Sequence, residues 1–505
     1  MGKFNGLVAC TLLITALTGC SKQSDSTTLV IENINGYTFD NDRQLQQFET
    51  LVIEDGRVLA TGDGQLSLSY PDAKTVDGQG KTLIPGITDA HGHVSTLGYT
   101  LLSVDIRGIE SAQKSAQIVA DYAAQTLALA GITKDTVSPP GGEIIRDEAG
   151  QPTGILVDNA MNLVMSIIPT PNDEEITLAL DTVGQHLLSL GITSTHDAGV
   201  SSTEHKLYRQ IADKGDMKVR IYGMLSSTNA DIEQSLAAGK TVDGDDYYSV
   251  RSIKVYTDGA LGSRGAAMIE PYSDRAGHTG LLLTSSEQLR HLFNKAITAD
   301  FQVAIHAIGD KGNRIGLDEV EHAYATVGGR HLRHRIEHSQ IVTLSDIPRF
   351  KALDVIPSMQ PTHATSDMNM AADRIGDERL KGAYAWRTFL DQGSRVVSGS
   401  DYPIELANPF HGIHAGVTRQ NHDNMPEGGW ISEEAMTLEE VMRSFTIDAA
   451  WAAHQDDILG GLTPGKWADF ILLDQDIFDV EQEALWQTQV LETWMAGKRV
   501  YQLNP

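Results

Sequence analysis

The stretch TLIPGITDAHGHV, residues 82–94, decides the fold of this chain of 505 residues. Its first half is apolar, which predicts a buried strand that ends at Asp89. Residues two apart on a strand point to the same face, so His91 and His93 can present two imidazoles to one point at the strand's carboxyl end. That arrangement suits a metal ion, although two histidines at this spacing also occur by chance.

Charge and cysteine content limit what the protein can be. The chain has 39 Lys and Arg against 67 Asp and Glu, a net charge of −28. It would repel nucleic acid and anionic membrane surfaces, so we expect neither as a direct partner. The only cysteines are Cys10 and Cys20. This excludes disulfides, thiolate metal sites and a cysteine nucleophile from the body of the protein.

The N-terminus is predicted to be a targeting segment. Residues 1–19 combine a basic start with an apolar stretch that is too short to cross a bilayer. The string LTGC that ends at Cys20 resembles the bacterial lipoprotein box, which implies cleavage before Cys20 and lipid attachment to its thiol. Residues 20–27 are then a polar tether, and Ser21 favours the periplasmic face of the outer membrane in a Gram-negative cell. The alternative is an ordinary secretory signal.

Both ends of the mature chain have the composition of β-sheet. Residues 28–84 contain short alternating segments that predict antiparallel strands, and Asp55-Gly56 between two of them predicts a hairpin turn. Residues 461–505 have similar character. We expect the two ends to form one small β-sandwich-like domain.

Residues 85–460 repeat a strand-then-helix rhythm, which is typical of parallel strands. Polar residues follow so many of the strands that a (β/α)₈ barrel is favoured over a doubly wound sheet, since a barrel's active site lies at the strand carboxyl ends. The predicted strand ends are His91, Asp197, Met224, Asp258, His306, His338, Gln360 and Asp401. Residues 95–185 are too long for one crossover and predict an insertion with a hairpin that covers the barrel mouth.

Four residues later in the chain have side chains that could join the first histidine pair in binding a metal ion. His306, His338 and Asp401 end apolar strands, and Lys254 lies within one. A single strand-end histidine or aspartate has ordinary structural explanations, including a helix cap at Asp401. A lysine in an apolar strand is harder to explain, because a buried ammonium is costly unless it is paired or chemically changed.

The motifs in this order resemble the amidohydrolase superfamily, and more narrowly its amidohydrolase-3 branch of YtcJ-like hydrolases. The resemblance covers nearly the whole chain from residue 28 onward. It is carried by PGITDAHGH (85–93), GITSTHDAG (191–199), KVYTDGALGSR (254–264), RIEH (335–338), SGSDYP (398–403) and PGKWAD (464–469).

The resemblance implies a centre of one or two divalent ions, with zinc first and Mn or Fe as alternatives. It implies these ligands: His91, His93 and Asp401 for one ion, His306 and His338 for a second, and Lys254, carboxylated on its amine, as the bridge. The implied reaction is cleavage of a C–N bond in a small amide, N-acyl or cyclic amide substrate by a metal-activated hydroxide. Asp401 would act as general base and then general acid.

Other functions and contacts stay open at this point. The same centre could hydrolyse an ester or a lactone, and a catalytically inactive envelope binding protein is the non-enzymatic alternative. Candidate substrate contacts are Arg264, Ser263, Gln360, His363 and Trp386, with a loop salt bridge as the alternative for Arg264 and a core position for Trp386. Residues 362–386 are a second candidate lid. The sequence fixes neither the substrate nor the oligomeric state, and a homo-oligomer stays open.

Overall fold

Eight parallel strands in the middle of the chain form a barrel, as the sequence predicted. Each strand pairs with its neighbours in chain order, so every crossover returns the chain to the next position around the ring. The barrel strands, numbered here one to eight, are Ile87–Gly92, Ile192–Val200, Arg220–Ser226, Tyr248–Tyr256, Gln302–Ala307, Arg335–His338, Ile356–Met359 and Val397–Ser398. A short strand, Thr241–Val242, pairs antiparallel with the fourth.

The structure is a computed structural model that describes residues 28–103, 111–139, 142–158, 160, 162–167 and 171–504. The predicted signal peptide (1–19), Cys20 and the tether (20–27) lie outside the described residues. In the described parts, no helix is long and apolar enough to cross a bilayer.

The barrel closes between its first and last strands. The amide of Asp401 donates to the carbonyl of His91 at 2.7 Å, and the amide of His93 donates to the carbonyl of Tyr402 at 2.8 Å. Gly92 lies between His91 and His93, and the Tyr402 ring packs on it so closely that a Cβ would approach the ring carbons to 2.3 Å. Only glycine fits at this position. The closure therefore brings the first and eighth strand ends together.

Helices surround the barrel, and side-chain caps fix where several of them begin. Complete capping boxes occur at Asn172, Ser201, Ser285 and Thr437, where a side chain satisfies amides that the helix leaves unpaired. The α-helices are Val94–Leu102, Ala112–Leu129, Asn162–Met165, Asp173–Ser189, Ser202–Asp213, Ile232–Ala238, Ser286–Thr298, Asp310–Thr326, Ile347–Leu353, Pro361–Asp367, Ala371–Leu380, Trp386–Asp391, Pro409–Thr418, Leu438–Ser444 and Ile447–Ala452. Short 3₁₀ helices are Leu66–Ser69, Arg330–Leu332, Ser432–Glu434 and Gln482–Gln487.

Both chain ends contribute to one eight-stranded sheet, which confirms the small β domain. Its strands are Thr28–Phe39, Leu45–Phe48, Thr50–Glu54, Arg57–Gly62, Lys74–Pro85, Phe470–Leu473, Val490–Met495 and Lys498–Gln502. The Asp55-Gly56 turn has positive φ at both residues, 50° and 79°, as a two-residue hairpin requires. The segments expected to be antiparallel strands do pair that way, Thr28–Phe39 with Thr50–Glu54 and Thr50–Glu54 with Arg57–Gly62. On its other side, Thr28–Phe39 pairs in parallel with Lys74–Pro85.

A buried ion pair joins the small sheet to the barrel. Arg220 of the third barrel strand donates through Nε to Asp469 Oδ2 at 2.6 Å, and both side chains are buried. Asp469 also accepts the amide of Ala496 at 2.8 Å. These contacts fix the sheet against the barrel, away from the carboxyl ends of the barrel strands.

The insertion between the first two barrel strands contains the hairpin expected there. Gly142–Arg146 pairs antiparallel with Pro152–Asp158, and Asp147 in the turn accepts the amides of Ala149 and Gln151. Helices Ala112–Leu129 and Asp173–Ser189 lie on either side of it in the chain.

Candidate metal centre

Five of the six predicted ligands lie in or at the ends of five different barrel strands. The first strand carries His91, and the fourth, fifth and sixth carry Lys254, His306 and His338. Asp401 follows the eighth strand. Since the strands are parallel, their carboxyl ends meet at one rim of the barrel, and these side chains converge there.

Three of these side chains converge most closely. His91, His338 and Asp401 each offer an atom, and the three atoms lie within 4.8 Å of one another. No other His, Cys, Asp or Glu group of three or more in the described residues meets that distance. His91 Nε2 lies 3.6 Å from Asp401 Oδ1, and His93 Nε2 lies 3.2 Å from the same oxygen. The trio contains one residue from the implied second ion's group, so the two implied groups lie side by side.

Lys254 and His306 border this trio. Lys254 is 1% exposed, and its Nζ lies 3.3 Å from His91 Nε2. Burial lowers its pKa to about 8, so the charged ammonium is less favoured here than in water. The His306 ring lies with its centroid 4.5 Å from that of His338.

A charged pair behind His91 sets which of its nitrogens faces the centre. His91 Nδ1 contacts the buried carboxylate of Glu337, which also pairs with Arg335. An ionised carboxylate only accepts hydrogen bonds. Burial alone would raise the pKa of Glu337, but the Arg335 charge holds it well below the usual range. Nδ1 of His91 therefore carries the proton, and Nε2 is left with its lone pair directed at the centre.

His338 is oriented in the same way from another strand. Its Nδ1 lies 2.8 Å from Gln360 Oε1, which accepts the Nδ1 proton and leaves Nε2 free as a ligand atom. His338 and Asp401 also have positive φ, 76° and 62°, which is uncommon for residues other than glycine. Backbone strain of this kind clusters at functional sites, and here it occurs at two of the three converging residues.

The electrostatics keep Asp401 ionised and His91 and His306 neutral. Burial alone would raise the pKa of Asp401, but the hydrogen bond from His93 and the neighbouring imidazoles of His91 and His338 hold it well below its usual range. Burial, with Lys254 nearby, lowers the pKa of His91 to about 4 and that of His306 to about 3. A carboxylate beside neutral imidazoles is the protonation state that binds a metal ion.

Two buried nitrogens show that a cation fits this donor set. His306 Nε2 and His363 Nε2 have no hydrogen-bond partner, although buried polar atoms are normally satisfied. His363 Nε2 lies 3.6 Å from Asp401 Oδ2. A divalent ion accepts electron pairs from such nitrogens and from carboxylate oxygen, and nitrogen and oxygen donors suit zinc.

Comparisons with known proteins agree with this geometry. The model of the amidohydrolase family matches residues 111–501, well over half of the chain.

The chain belongs to the amidohydrolase family.

Three curated relatives match along nearly their whole length. Protein LONG AFTER FAR-RED 3 of Arabidopsis thaliana is 28% identical over 92% of this chain and 91% of its own. Putative amidohydrolase YtcJ of Bacillus subtilis is 26% identical, with 90% and 96% covered. N-substituted formamide deformylase of Arthrobacter pascens is 26% identical, with 94% and 98% covered.

A solved structure shows the same fold. An uncharacterised metal-dependent hydrolase of Pyrococcus horikoshii superposes with a TM-score of 0.76 at 24% identity, with 90% of this chain and 99% of that chain covered. At this level of identity the likeness shows a shared fold, and the family assignment rests on the match over residues 111–501.

The predicted substrate contacts of the amidohydrolase fall in different places. His363 lies in the centre itself, and Gln360 orients His338. Arg264 is held by Asp274 at 3.0 and 2.7 Å, which is the loop salt bridge that the sequence left open. Ser263 donates to a backbone carbonyl in the same loop at 3.2 Å. Trp386 is fully buried, with the Arg419 guanidinium 4.2 Å from its ring centroid, and is therefore part of the core.

Sequence reasoning missed two residues that support the centre of the amidohydrolase. The motif RIEH contains a signal for Glu337, because Arg335 and Glu337 are two residues apart on a strand and therefore point to the same face. Asp89 joins the first and eighth strands: it accepts the amide of His91 at 3.0 Å and both the amide and the hydroxyl of Ser400 at 3.1 and 2.7 Å.

Proposed function

We propose that this amidohydrolase cleaves a C–N bond in a small amide, N-acyl amine or cyclic amide. The observation that carries the proposal is the convergence of His91, His338 and Asp401 within 4.8 Å beside a buried lysine. The relative named N-substituted formamide deformylase supports C–N bond chemistry on this scaffold.

The residues that would hold metal are those the sequence indicated. His91, His93 and Asp401 would bind one divalent ion, most simply zinc, and His306 and His338 a second. Carboxylation of Lys254 would turn its buried amine into an anionic bridge. When bound, the ions would supply Lewis acidity and an activated water.

Asp401 would move the proton. Its carboxylate is ionised and lies at the centre beside His93 and His363, so it can accept a proton from the attacking water. The protonated carboxyl can then donate to the leaving nitrogen, which is general-base followed by general-acid catalysis by one group. His363 lies on the other side of the same carboxylate and would help to orient it.

Metal analysis and one substitution test the proposal. We expect the purified protein to hold or take up zinc or manganese in the presence of bicarbonate and to hydrolyse members of an amide panel. Asp401→Asn should lower kcat by about 10²- to 10⁴-fold and His306→Ala should reduce turnover strongly, with the circular dichroism spectrum unchanged. Asp423→Asn in an exposed turn is the control. Metal binding well below one ion per chain, or hydrolysis of esters and lactones alone, would contradict it.

We also propose that Cys20 carries a lipid anchor. The string LTGC and the polar residues 20–27 support cleavage before Cys20 and attachment at the periplasmic face of a Gram-negative outer membrane. The net charge of −28 supports the proposal that nucleic acid is not a partner. The proposed partner is a small-molecule substrate, and a homo-oligomer is compatible with this function. Cys20→Ser should abolish labelling by radioactive palmitate and release the protein from the membrane fraction. Equal labelling of variant and wild type would refute the anchor.

A further inference from the structure

A cavity of about 770 Å³ opens at the carboxyl ends of the third and fourth barrel strands. Tyr256 ends the fourth strand and forms one wall, and Leu283 and Leu292 contribute apolar surface. Thr228 follows the third strand and adds a hydroxyl. A volume of this size is typical of small-molecule sites.

Tyr256 joins the cavity to the metal centre. Its ring centroid lies 6.0 Å from that of His306 and 5.5 Å from Lys254 Nζ. One side chain therefore forms a wall of the cavity and borders two of the proposed ligands. The cavity and the centre are therefore separated by no more than the thickness of this ring.

The cavity rim carries an unusual apolar run. Leu281, Leu282 and Leu283 are consecutive and 60%, 41% and 59% exposed. Runs of exposed apolar residues are avoided unless they have a function. The run is fixed in place, since the amide of Leu283 donates to Thr257 O at 2.9 Å and that of Leu281 donates to Gly265 O at 3.0 Å.

The charges near the cavity disfavour an anionic group. The described part of its lining contains no lysine or arginine, and Glu287 contributes a carboxylate. His291 is held by Glu233 at 3.0 Å.

We propose that this cavity binds an uncharged, apolar substituent of the substrate, so that the preferred amide carries an alkyl or aryl group several carbons long. The proposal rests on the proposed C–N hydrolysis and specifies its substrate class. Leu283 and Leu292 would contact the substituent, and Glu287 would exclude substrates whose substituent ends in a carboxylate.

Two series of amides test it with the metal-loaded protein: N-methyl alkanamides and N-alkylformamides, each lengthened one methylene at a time. In at least one series we expect kcat/KM to rise by roughly threefold to fourfold per methylene until the cavity is full. Leu283→Ser should flatten this dependence. Leu281→Ser is the matched control, because Leu281 belongs to the exposed run but not to the cavity lining, and it should keep the wild-type slope.

Charge selectivity gives a second readout. A terminal carboxylate on the longest substrate should lower kcat/KM by at least about tenfold, since a charged group left in apolar surroundings is costly. Glu287→Lys should recover part of that loss. Metal content, measured in parallel, should be the same in all variants.

Calorimetric binding of the same amides separates failure of this proposal from failure of the proposed function. Turnover that is independent of chain length in both series overturns the cavity proposal and leaves C–N hydrolysis intact. Binding that strengthens with length and weakens in Leu283→Ser, without any turnover, supports the cavity and overturns the hydrolysis. If neither turnover nor length-dependent binding is observed, both proposals are overturned.

Discussion

Glu337 is the residue whose replacement tests how the centre is assembled. In Glu337→Gln, the amide can donate as well as accept, so it no longer forces the proton onto His91 Nδ1, and Arg335 loses its buried counter-charge. Groups that orient metal ligands are typically worth 10- to 100-fold in metal affinity. We expect zinc affinity, measured by competition with a chromophoric chelator, to fall by about that factor.

Glu319→Gln controls for the loss of a buried carboxylate. Glu319 is 3% exposed and pairs with Arg290 through two contacts of 2.9 Å, but it belongs to helix Asp310–Thr326 and not to the centre. It should leave zinc affinity unchanged. Equal affinities of wild type and Glu337→Gln would mean that Glu337 does not orient His91.

At the residue scale, the sequence predicts the metal-binding residues better than the residues that orient them. The converging residues could be predicted because each has metal-binding chemistry and ends a recognisable strand. The partnership of His91 with Glu337 joins residues 246 positions apart, on the first and sixth strands. No local pattern encodes which two strand faces meet across the barrel, so this contact had to come from the structure.

At the element scale, Asp89 is expected to hold the barrel closed. Asp89→Ala leaves the buried amides of His91 and Ser400 without their acceptor, and buried unsatisfied groups cost about 1–3 kcal/mol each. We expect the free energy of unfolding to fall by about 2–4 kcal/mol, measured by urea titration, because the first and eighth strands lose their side-chain link.

Asp147→Ala is the matched control for the barrel closure. Asp147 also accepts two backbone amides, at 2.9 and 2.8 Å, but it lies in the exposed turn of the inserted hairpin. Water can replace its carboxylate there, so the loss should stay below about 1 kcal/mol. Similar losses in the two variants would show that the barrel does not depend on Asp89.

Strand pairing was the part of the fold that local patterns predicted least well. The alternation in residues 28–84 indicates strands, and the Asp55-Gly56 hairpin makes neighbours of the two strands that it joins, but neither says which strands lie beside that pair. The parallel pairing of Thr28–Phe39 with Lys74–Pro85 places the Leu45–Gly62 strands outside the central pair. Phe470–Leu473 then adds to the other side of Lys74–Pro85, so the centre of the sheet is set by contacts across more than 380 residues of chain, from Thr82 to Leu473.

For the whole molecule, the loss of stability in acid depends on buried histidines that are neutral in the folded state. His334 is fully buried, and its Nδ1 accepts the amide of Val303 at 3.0 Å. Burial lowers its pKa to about 3, against about 6.5 in an unfolded chain. Below pH 6.5 the unfolded state therefore binds a proton that the folded state does not, and the contribution of His334 to stability is lost as the pH falls towards 3.

The difference between two proteins isolates this contribution. Buried acids such as Asp258, whose pKa burial raises to about 6, act in the opposite direction, because their folded state keeps protons that the unfolded chain releases. They are common to wild type and His334→Gln, so they cancel when the two are compared. One proton is worth about 1.4 kcal/mol per pH unit. The melting temperature of wild type should therefore fall more steeply than that of His334→Gln between about pH 6.5 and about pH 4.5, in calorimetric scans with a chelator present. Parallel curves would mean that His334 takes up its proton without unfolding.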